Sequence, residues 1–213
     1  MEEVADRTVR FLRGSLRAPV GEDPACPLVR FFVTMPYSEL EADQQSFVRS
    51  LVGDAAARPG TKCLTLLASA GEHPAWNSRQ DSAGHKALPL ASEESVARSP
   101  MIAQLIRQLG VGVGALIGAD PSLVVDADQH DFNVFHVPEA EGSPYIPAQR
   151  EFVVPFGIRS VLGFGGLLPP GELYAIVLFS KAPIRRETAD LFKTLSLNVK
   201  VALLPFVGRQ LFA

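Results

Sequence analysis

The sequence predicts an α+β fold with a central, mainly antiparallel sheet and helices packed on it. Two apolar runs near the end of the chain are joined by PPG and form one predicted strand pair. A second pair of short apolar runs begins at Lys62 and at His85, and segments with helical periodicity flank both pairs. The predicted order is helices, strand pair, helices, loop, strand pair and helix, which is typical of this class.

The first part of the chain has helical spacing of apolar residues, interrupted by prolines and a glycine between 18 and 27. A second apolar patch starts at 28–32 and continues at helical spacing after Pro36. These patterns predict an N-terminal helical arm over 1–58, partly integrated with the domain that follows. That domain is predicted over 59–206, with a C-terminal tail over 207–213.

The middle of the chain changes from strand to helix. KCLTLLAS is short and apolar between turn residues and predicts a buried strand, with HKALPL as its partner. A helix is predicted from Pro100, with Ser99 as its cap and Gly110 after its last turn. Its buried stripe comprises Ile102, Leu105, Ile106 and Leu109. Ser92 followed by two glutamates predicts the start of a short preceding helix.

The C-terminal part of the chain predicts an antiparallel hairpin followed by one long helix. IRSVLGFGGLL and ELYAIVLFS are the two strands of the hairpin. The helix carries an apolar stripe that comprises Phe192, Leu195, Val199 and Ala202. Gly165 and Gly166 lie inside a strand pattern, so we expect at least one to have a positive φ or to allow a close approach.

Composition favours a globular protein with a sizeable core. Hydrophobic residues make up 47% and charged residues 20% of 213 residues, and the net charge of −3 argues against a nucleic-acid partner. The longest apolar runs are too short to span a bilayer, and the N-terminus lacks the pattern of a secretory signal. Two cysteines make no disulfide framework. We therefore expect a cytoplasmic location and no membrane partner.

Sequence motifs for catalysis or metal binding are weak. Gly110, Gly112 and Ala115 match a dinucleotide pattern, but a predicted helix rather than a strand precedes them. The four histidines show no zinc spacing, so no metal site is predicted. Cys63 lies in a strand pattern, and Cys26 lies between two prolines in a predicted exposed loop. The sequence therefore predicts no enzymatic activity and names no cofactor.

The segment FNVFHVPEAEGSPYIP and the residues after it combine aromatic faces with polar groups. Its first residues predict a strand and the rest a loop whose prolines restrict its unfolded freedom. Such a mixture is typical of a ligand pocket. We predict that 132–150 is an ordered cover over a mainly apolar pocket, without catalysis or metal; the alternative is a crossover that completes the core. The predicted ligand-binding residues are Phe132, Asn133, His136, Tyr145, Arg150 and Phe156.

The hairpin and last helix resemble the end of a GAF domain. The shared pattern is an apolar G-I-R-S strand in FGIRSVLGFGGLLPPGELYAIVLFS, followed by an acidic helix. With SPMIAQLIRQLG and the FNVFHV segment, the resemblance extends over roughly 28–206 and is to GAF-type sensor regions of bacterial signalling proteins, often beside histidine kinases. It implies a central antiparallel sheet, helices behind it, and a ligand between the other face and a covering loop at 132–150.

Three functional hypotheses follow. The first is a cytoplasmic GAF-like sensory module of bacterial signal transduction that binds a small ligand or a partner, such as a histidine kinase, and signals through its terminal helices. The second is a dimerisation or interaction domain without a ligand, and the third a small thiol enzyme using Cys26 or Cys63. A homodimer is predicted from apolar residues near both ends, namely Phe11, Leu12, Phe31, Phe32, Leu203, Leu204, Phe206, Leu211 and Phe212.

Overall fold

The computed structural model describes residues 1–17, 23–82, 84–118, 133–169 and 171–208. Its helices and strands follow the order α1 (Glu2–Ser15), β1 (Leu28–Pro36), α2 (Ala42–Val52), β2 (Lys62–Gly71), β3 (Ala87–Pro89), α3 (Glu93–Ala97), α4 (Pro100–Gln108), α5 (Val113–Ile117), β4 (Val134–Val137), β5 (Ser160–Leu168), β6 (Glu172–Ser180), α6 (Arg186–Asp190) and α7 (Phe192–Leu203). The predicted α+β class is confirmed.

The strands form one antiparallel sheet in the order β3-β2-β1-β6-β5-β4. The helical interpretation of 28–32 is wrong, because β1 lies at the centre of the sheet between β2 and β6. A strand buried on both faces reads as a continuous apolar run, which periodicity does not distinguish from a helix. The segment 1–58 therefore supplies a central strand of the sheet in addition to helices.

Helices and irregular segments cover the sheet on both faces. One face, here called the terminal-helix face, packs against α1, α2, α6 and α7 through residues such as Val9, Val48 and Phe192. The other, here called the central-segment face, packs against α3, α4, α5 and the irregular segment 138–158, through residues such as Leu105 and Ile146. The domain thus has three layers with a core on each side of the sheet.

A β-bulge interrupts the pairing of β1 with β2. Phe31 pairs with Ala68 and Phe32 pairs with Leu66, so Leu67 is the extra residue. Leu67 and Ala68 both pack on the terminal-helix face, whereas Leu66 packs on the central-segment face. Side chains alternate along a strand, so the bulge changes which face each later residue of β2 occupies.

The predicted hairpin is confirmed as β5 and β6, and the expectation for its glycines is confirmed at Gly165. A Cβ on Gly165 would lie 2.1 Å from the carbonyl oxygen of Tyr174 and 2.9 Å from the Cα of Ala175. The two backbones therefore approach more closely than any residue with a side chain allows.

The predicted long C-terminal helix is divided at Leu191 into α6 and α7. Its predicted stripe is only partly correct, because Leu195 and Ala202 are exposed whereas Ser196 is fully buried. Ser196 Oγ donates to the carbonyl of Gly165 at 2.7 Å, and the Tyr174 hydroxyl donates to the Ser196 carbonyl at 2.7 Å. These bonds satisfy a polar residue that an apolar pattern cannot place.

The other predicted elements agree with the structure. β2 and β3 pair as expected, α3 begins after a Ser92 capping box, and α4 begins at Pro100 with its whole predicted stripe buried. Gly110 follows α4 with a positive φ of 78°. None of the helices within the described ranges is both long and apolar enough to cross a membrane.

Several residues that predicted a dimer are buried within the chain itself. Leu12, Phe31, Phe32 and Leu203 belong to the two cores. Phe11 is 69% exposed and Leu204 is 43% exposed, whereas Leu211 and Phe212 lie outside the described residues. The apolar surface near the chain ends is therefore smaller than the sequence suggests.

Candidate functional site

The segment after β4 crosses the central-segment face as an ordered cover. The Gln149 side chain donates to the carbonyls of Ala140 and Ile146 and accepts from the backbone of Gly142. A turn of π-helix follows at Gln149–Val153, and Ile146 and Val153 are buried. Because one glutamine side chain closes the loop internally, the cover keeps a defined shape over the sheet.

The structure places two of the predicted ligand-binding residues on the same face of the sheet. Tyr145 and Phe156 are both half-buried and pack on the central-segment face. Asn133 is half-buried just before β4, Arg150 is exposed, and Phe132 lies outside the described residues. Ligand binding by these residues stays a prediction.

His136 does not join Tyr145. Phe135 and Val137 pack on the central-segment face, so His136, which alternates with them, points toward the terminal-helix face. Its Nε2 lies 2.8 Å from the carbonyl oxygen of Ile184, and its backbone N–H donates to Gln108 at 2.8 Å. The ring thus connects β4 to the segment before α6, and a ligand beside Tyr145 would be separated from it by the sheet.

Four aromatic rings meet at one end of the central-segment face. Trp76 lies 4.5 Å from Phe156 and 5.4 Å from Phe152 between ring centroids, and Phe152 packs edge-on against Phe179 at 4.9 Å. Phe152 and Phe156 come from the irregular segment 138–158, Phe179 comes from β6, and Trp76 comes from the connection 72–86. We call these four residues the aromatic cluster; it joins both irregular segments over the sheet.

Beside this cluster lie two buried polar groups without a partner. Arg30 and Ser69 are paired residues of β1 and β2, and both alternate with residues of the terminal-helix face, so they point to the central-segment face. Among the described residues, Arg30 Nε and Ser69 Oγ are buried without a hydrogen bond, as Arg13 Nε is on α1. Unsatisfied buried groups are uncommon in native proteins, and two as cross-strand neighbours are more so.

The connection 72–86 covers the guanidinium of Arg30. Arg30 Nη2 donates to Ser82 Oγ at 3.3 Å, and Nη1 lies 3.5 Å from His85 Nδ1. Both distances are at the long end for hydrogen bonds. Burial lowers the pKa of Arg30 to about 10, and no carboxylate of the described residues pairs with it. The group is still cationic at neutral pH.

His85 is held in an unusual state by the same contact. Desolvation and the charge of Arg30 lower the pKa of its ring, which favours neutral imidazole with Nδ1 as an acceptor. Its φ is 61°, a left-handed backbone that costs about 1 kcal/mol or more for a residue with a side chain. The two contacts that the connection makes to Arg30 itself are therefore weak, and the residue that makes one of them has a strained backbone.

The connection also contacts the N-terminal helix. Arg79 bonds to Glu2 of α1 and to Glu41 before α2, each at 2.6 Å, and its side chain is only 7% exposed. Arg10 of α1 donates to the carbonyl of Asn77 at 3.2 Å. The segment over Arg30 is thus tied directly to a terminal helix.

Sequence reasoning did not identify Arg30, Ser69, His85 and Trp76. The signal for Arg30 was a single charge inside the apolar run LVRFFVTM, which reads as a surface position once that run is taken as helical. Ser69 ends the run CLTLLAS, and only the bulge determines its face. Strand pairing and the bulge together place the two residues side by side.

The two cysteines are chemically quiet in this fold. Cys26, predicted to be exposed, is buried, and burial raises the pKa of both Cys26 and Cys63 to about 12. Both thiols are protonated at neutral pH and are poor nucleophiles. Within the described ranges no three His, Cys, Asp or Glu side chains are grouped to hold a metal ion, while His130 lies outside those ranges.

Comparisons with known proteins give only distant resemblances. No protein-family model matches the sequence, and neither does any curated protein. One similar solved structure is the domain of a putative two-component sensor histidine kinase protein from Sinorhizobium meliloti 1021, with 13% identity, a TM-score of 0.42, and coverage of 98% of this chain and 93% of that one.

Two further solved structures have similar scores. The VqsR LBD domain from Pseudomonas aeruginosa shows 14% identity over 95% of this chain and 88% of that one, with a TM-score of 0.38. CepR2, an N-acylhomoserine lactone dependent LuxR family transcription factor from Burkholderia cenocepacia, shows 12% identity over 98% of each chain, with a TM-score of 0.38. Similarity at this level is too low to transfer a function to this chain.

Proposed function

We propose that this chain is a cytoplasmic GAF-like sensory module of bacterial signal transduction that binds a small ligand on its central-segment face. The observation that carries the proposal is the pair Arg30 Nε and Ser69 Oγ, which are buried beside the aromatic cluster without a hydrogen bond from any described residue. Unsatisfied polar groups next to apolar walls are what a ligand site presents before its ligand arrives. The GAF resemblance of the sequence supports the same face.

The terminal helices receive the signal in this proposal. The connection 72–86 contacts Arg30 through Ser82 and α1 through Arg79. A ligand that moves this connection changes the contacts of α1. An output protein that binds α1, such as a histidine kinase, then responds to the changed position of the helix. Coupling of this kind needs only a difference in ligand affinity between two positions of the connection.

The direct test is to look for the ligand itself. Native mass spectrometry of freshly purified protein should show added mass that disappears on denaturation. The midpoint temperature of thermal unfolding should rise when the ligand is added from a chemically broad library of metabolites. Hydrogen exchange should then change in α1 as well as in 72–86. No added mass and no stabilising compound of any chemical class would contradict the proposal.

A control variant separates binding from signalling. Arg79→Gln removes the bonds to Glu2 and Glu41 but leaves Arg30 and Ser69 in place. We expect it to retain ligand affinity and to lose the exchange response of α1. An unchanged α1 response would show that the signal takes another route.

The second candidate is a dimerisation or interaction domain without a ligand. Leu197, Val201 and Leu204 are exposed at helical spacing at the C-terminal end, and Phe11 is exposed on α1. A second copy of the chain would cover them, and light scattering at tens of micromolar tests this homodimer. Val201→Asp should then give a monomer; a wild-type monomer would remove this candidate.

We propose a non-enzymatic role. The thiol-enzyme alternative needs a reactive Cys26 or Cys63, and the buried, protonated state of both supports setting it aside. Titration with a thiol reagent should be slow in the folded protein and fast after unfolding. Rapid labelling of either cysteine in the folded state would reopen the enzyme hypothesis.

A further inference from the structure

We propose that Arg30 and Ser69 bind the carboxylate of a small monocarboxylate whose apolar body packs against the aromatic cluster. This inference rests on the proposed ligand-binding function and narrows its ligand to one chemical class. It is based on the unbonded donors of β1 and β2, on the weak contacts that the connection 72–86 makes to Arg30, and on the aromatic cluster beside them.

The available donors match a carboxylate. No described residue accepts from the N–H of Arg30 Nε, and the two Nη groups make only the long contacts to His85 and Ser82. A guanidinium offers parallel N–H groups that bind the two carboxylate oxygens together. Ser69, which pairs with Arg30 across the strands, is 1% exposed, and its hydroxyl is unbonded among the described residues and supplies one more donor.

The part of the connection 72–86 that lies over these donors is suited to displacement. Ser82 and His85 contact Arg30 at 3.3 and 3.5 Å, whereas a bond between a guanidinium and a carboxylate is shorter and stronger. Displacement also releases His85 from its left-handed backbone. The structure therefore describes the closed form, and the ligand replaces two weak contacts with charge-assisted ones.

The aromatic cluster offers a contact surface for the apolar body of the ligand, two residues along the strands from Arg30. Leu28 pairs with Gly71 and Phe179, two residues from the row of Arg30, Ser69 and Val177. Two residues along a strand span about 7 Å. Trp76 packs directly on Gly71, where an added Cβ would lie 2.7 Å from the Cβ of Trp76, and Phe152 packs on Phe179. The carboxylate and the body thus occupy neighbouring rows of the same face.

The charge of the site favours one negative charge. Arg30 is the cation in this group, since His85 has a lowered pKa and is neutral near pH 7. A bound monoanion neutralises the charge of Arg30, whereas a dianionic phosphate leaves one buried charge uncompensated, which is costly. The expected ligands are therefore straight-chain or aryl-substituted carboxylic acids of modest size.

The experiment uses the single tryptophan of the chain as a reporter. Trp76 lies in the aromatic cluster, so its fluorescence should change when a body packs there. The full chain is titrated with a panel of straight-chain carboxylates and arylacetates, each beside its primary amide and the corresponding alkyl or aryl phosphate. Calorimetry on the best probe confirms the affinity.

Three variants assign the binding to this pair. Arg30→Gln should weaken carboxylate binding by about tenfold or more, the effect of losing hydrogen bonds to a charged group. Ser69→Ala removes one hydroxyl from a folded core and should weaken it by a smaller factor. Arg98→Gln, whose ion pair with Glu94 is exposed, is the control and should bind as the wild type does. Circular dichroism checks folding, and Ser69→Ala keeps the test valid if Arg30→Gln does not fold.

Selective binding of a carboxylate over its amide, lost in Arg30→Gln or weakened in Ser69→Ala, supports the inference. Equal binding of acid and amide, a preference for phosphates, or selectivity that both variants retain overturns it while leaving ligand binding as such intact. No binding by any acid, when the broad library yields another ligand, also overturns it. Failure of both the panel and the library contradicts the proposed function itself.

Discussion

Each face of the sheet carries a buried serine, and only one of the two hydroxyls is satisfied by the described residues. On the terminal-helix face, Ser196 and Tyr174 bond to each other, and Ser196 also bonds to the carbonyl of Gly165. On the central-segment face, Ser69 is equally buried and its hydroxyl has no partner within the described residues. Two serines with the same burial therefore have opposite energetic consequences.

The difference belongs to the two sites rather than to the whole faces, because Arg13 Nε on α1 is also buried without a partner among the described residues. A satisfied network fixes α7 against the sheet, because every donor lost there leaves an unpaired partner. Unsatisfied groups lower the stability of the ligand-free protein and are retained where a ligand can later satisfy them. Mutations that test each face should therefore differ in sign as well as in size.

The largest expected effect is at the contact between β5 and β6. Gly165→Ala places a methyl group 2.1 Å from the Tyr174 carbonyl oxygen and displaces the backbone that accepts the Ser196 bond. We expect a loss of about 3 kcal/mol in the free energy of unfolding, measured with urea. Gly60→Ala, with no atom within 4 Å of its added Cβ, should change it by less than about 0.5 kcal/mol. Equal small effects would refute the close approach.

The next effect is at the ion pairs that join the connection 72–86 to the first two helices. Arg79→Gln leaves Glu2 and Glu41 without the guanidinium that each contacts at 2.6 Å. We expect a loss of about 2 kcal/mol, since bonds to charged groups at a buried arginine exceed ordinary hydrogen bonds. Arg98→Gln, from an exposed pair, should lose less than about 0.5 kcal/mol. Thermal and urea unfolding of both variants measure the difference.

The two buried serines provide the sharpest comparison of the faces. Ser196→Ala should cost about 1–2 kcal/mol, because it leaves the Tyr174 hydroxyl and the Gly165 carbonyl with fewer bonds. Ser69→Ala should be neutral or slightly stabilising in the ligand-free protein, because it removes an unsatisfied hydroxyl. Urea unfolding without ligand measures both. If Ser69→Ala cost as much as Ser196→Ala, the two serine sites would not differ as described.

The smallest effect is the pH dependence at His85. Its folded pKa is lowered, so the unfolded chain takes up the proton first as the pH falls below the ordinary value of about 6.5. The contribution to stability is present above that pH and is lost below it. His85→Asn, which tolerates the left-handed backbone, should flatten the decline in urea midpoint between neutral and mildly acidic pH. An identical decline in both proteins would exclude this assignment.

Local patterns were sufficient for much of the fold. α4 has a proline start, a glycine end and one apolar stripe, and the β5–β6 hairpin has a turn between two apolar runs, so neighbouring residues alone specify both. β1 could not be recognised in this way, because it is buried on both faces and its sequence does not alternate between apolar and exposed polar residues. The inward side of α7 was missed at Ser196, whose burial depends on Tyr174 from another element.

The candidate site was less predictable for the same reason. An ordered segment after β4 could be predicted because prolines, aromatics and polar groups follow one another in a single stretch, whereas a ligand pocket beneath it stays a prediction. The pairing of Arg30 with Ser69 depends on strand register, which no stretch of sequence encodes locally. The pattern at 134–137 predicts a strand but not which of its faces meets the segment 138–158, and His136 lies on the opposite face.

The bulge at Leu67 reverses the faces on which all later residues of β2 lie. Without the extra residue, Ser69 would share a face with Cys63 and Thr65 and would point at the helices from the chain ends. With it, the hydroxyl stands beside the guanidinium of Arg30 on the opposite side of the sheet. Deleting one residue at this point would thus move the Ser69 hydroxyl from one face of the sheet to the other. The residues at both ends of β2 would stay the same. A single insertion or deletion in a strand can in this way create or abolish a binding group in one step, where point substitutions would need several.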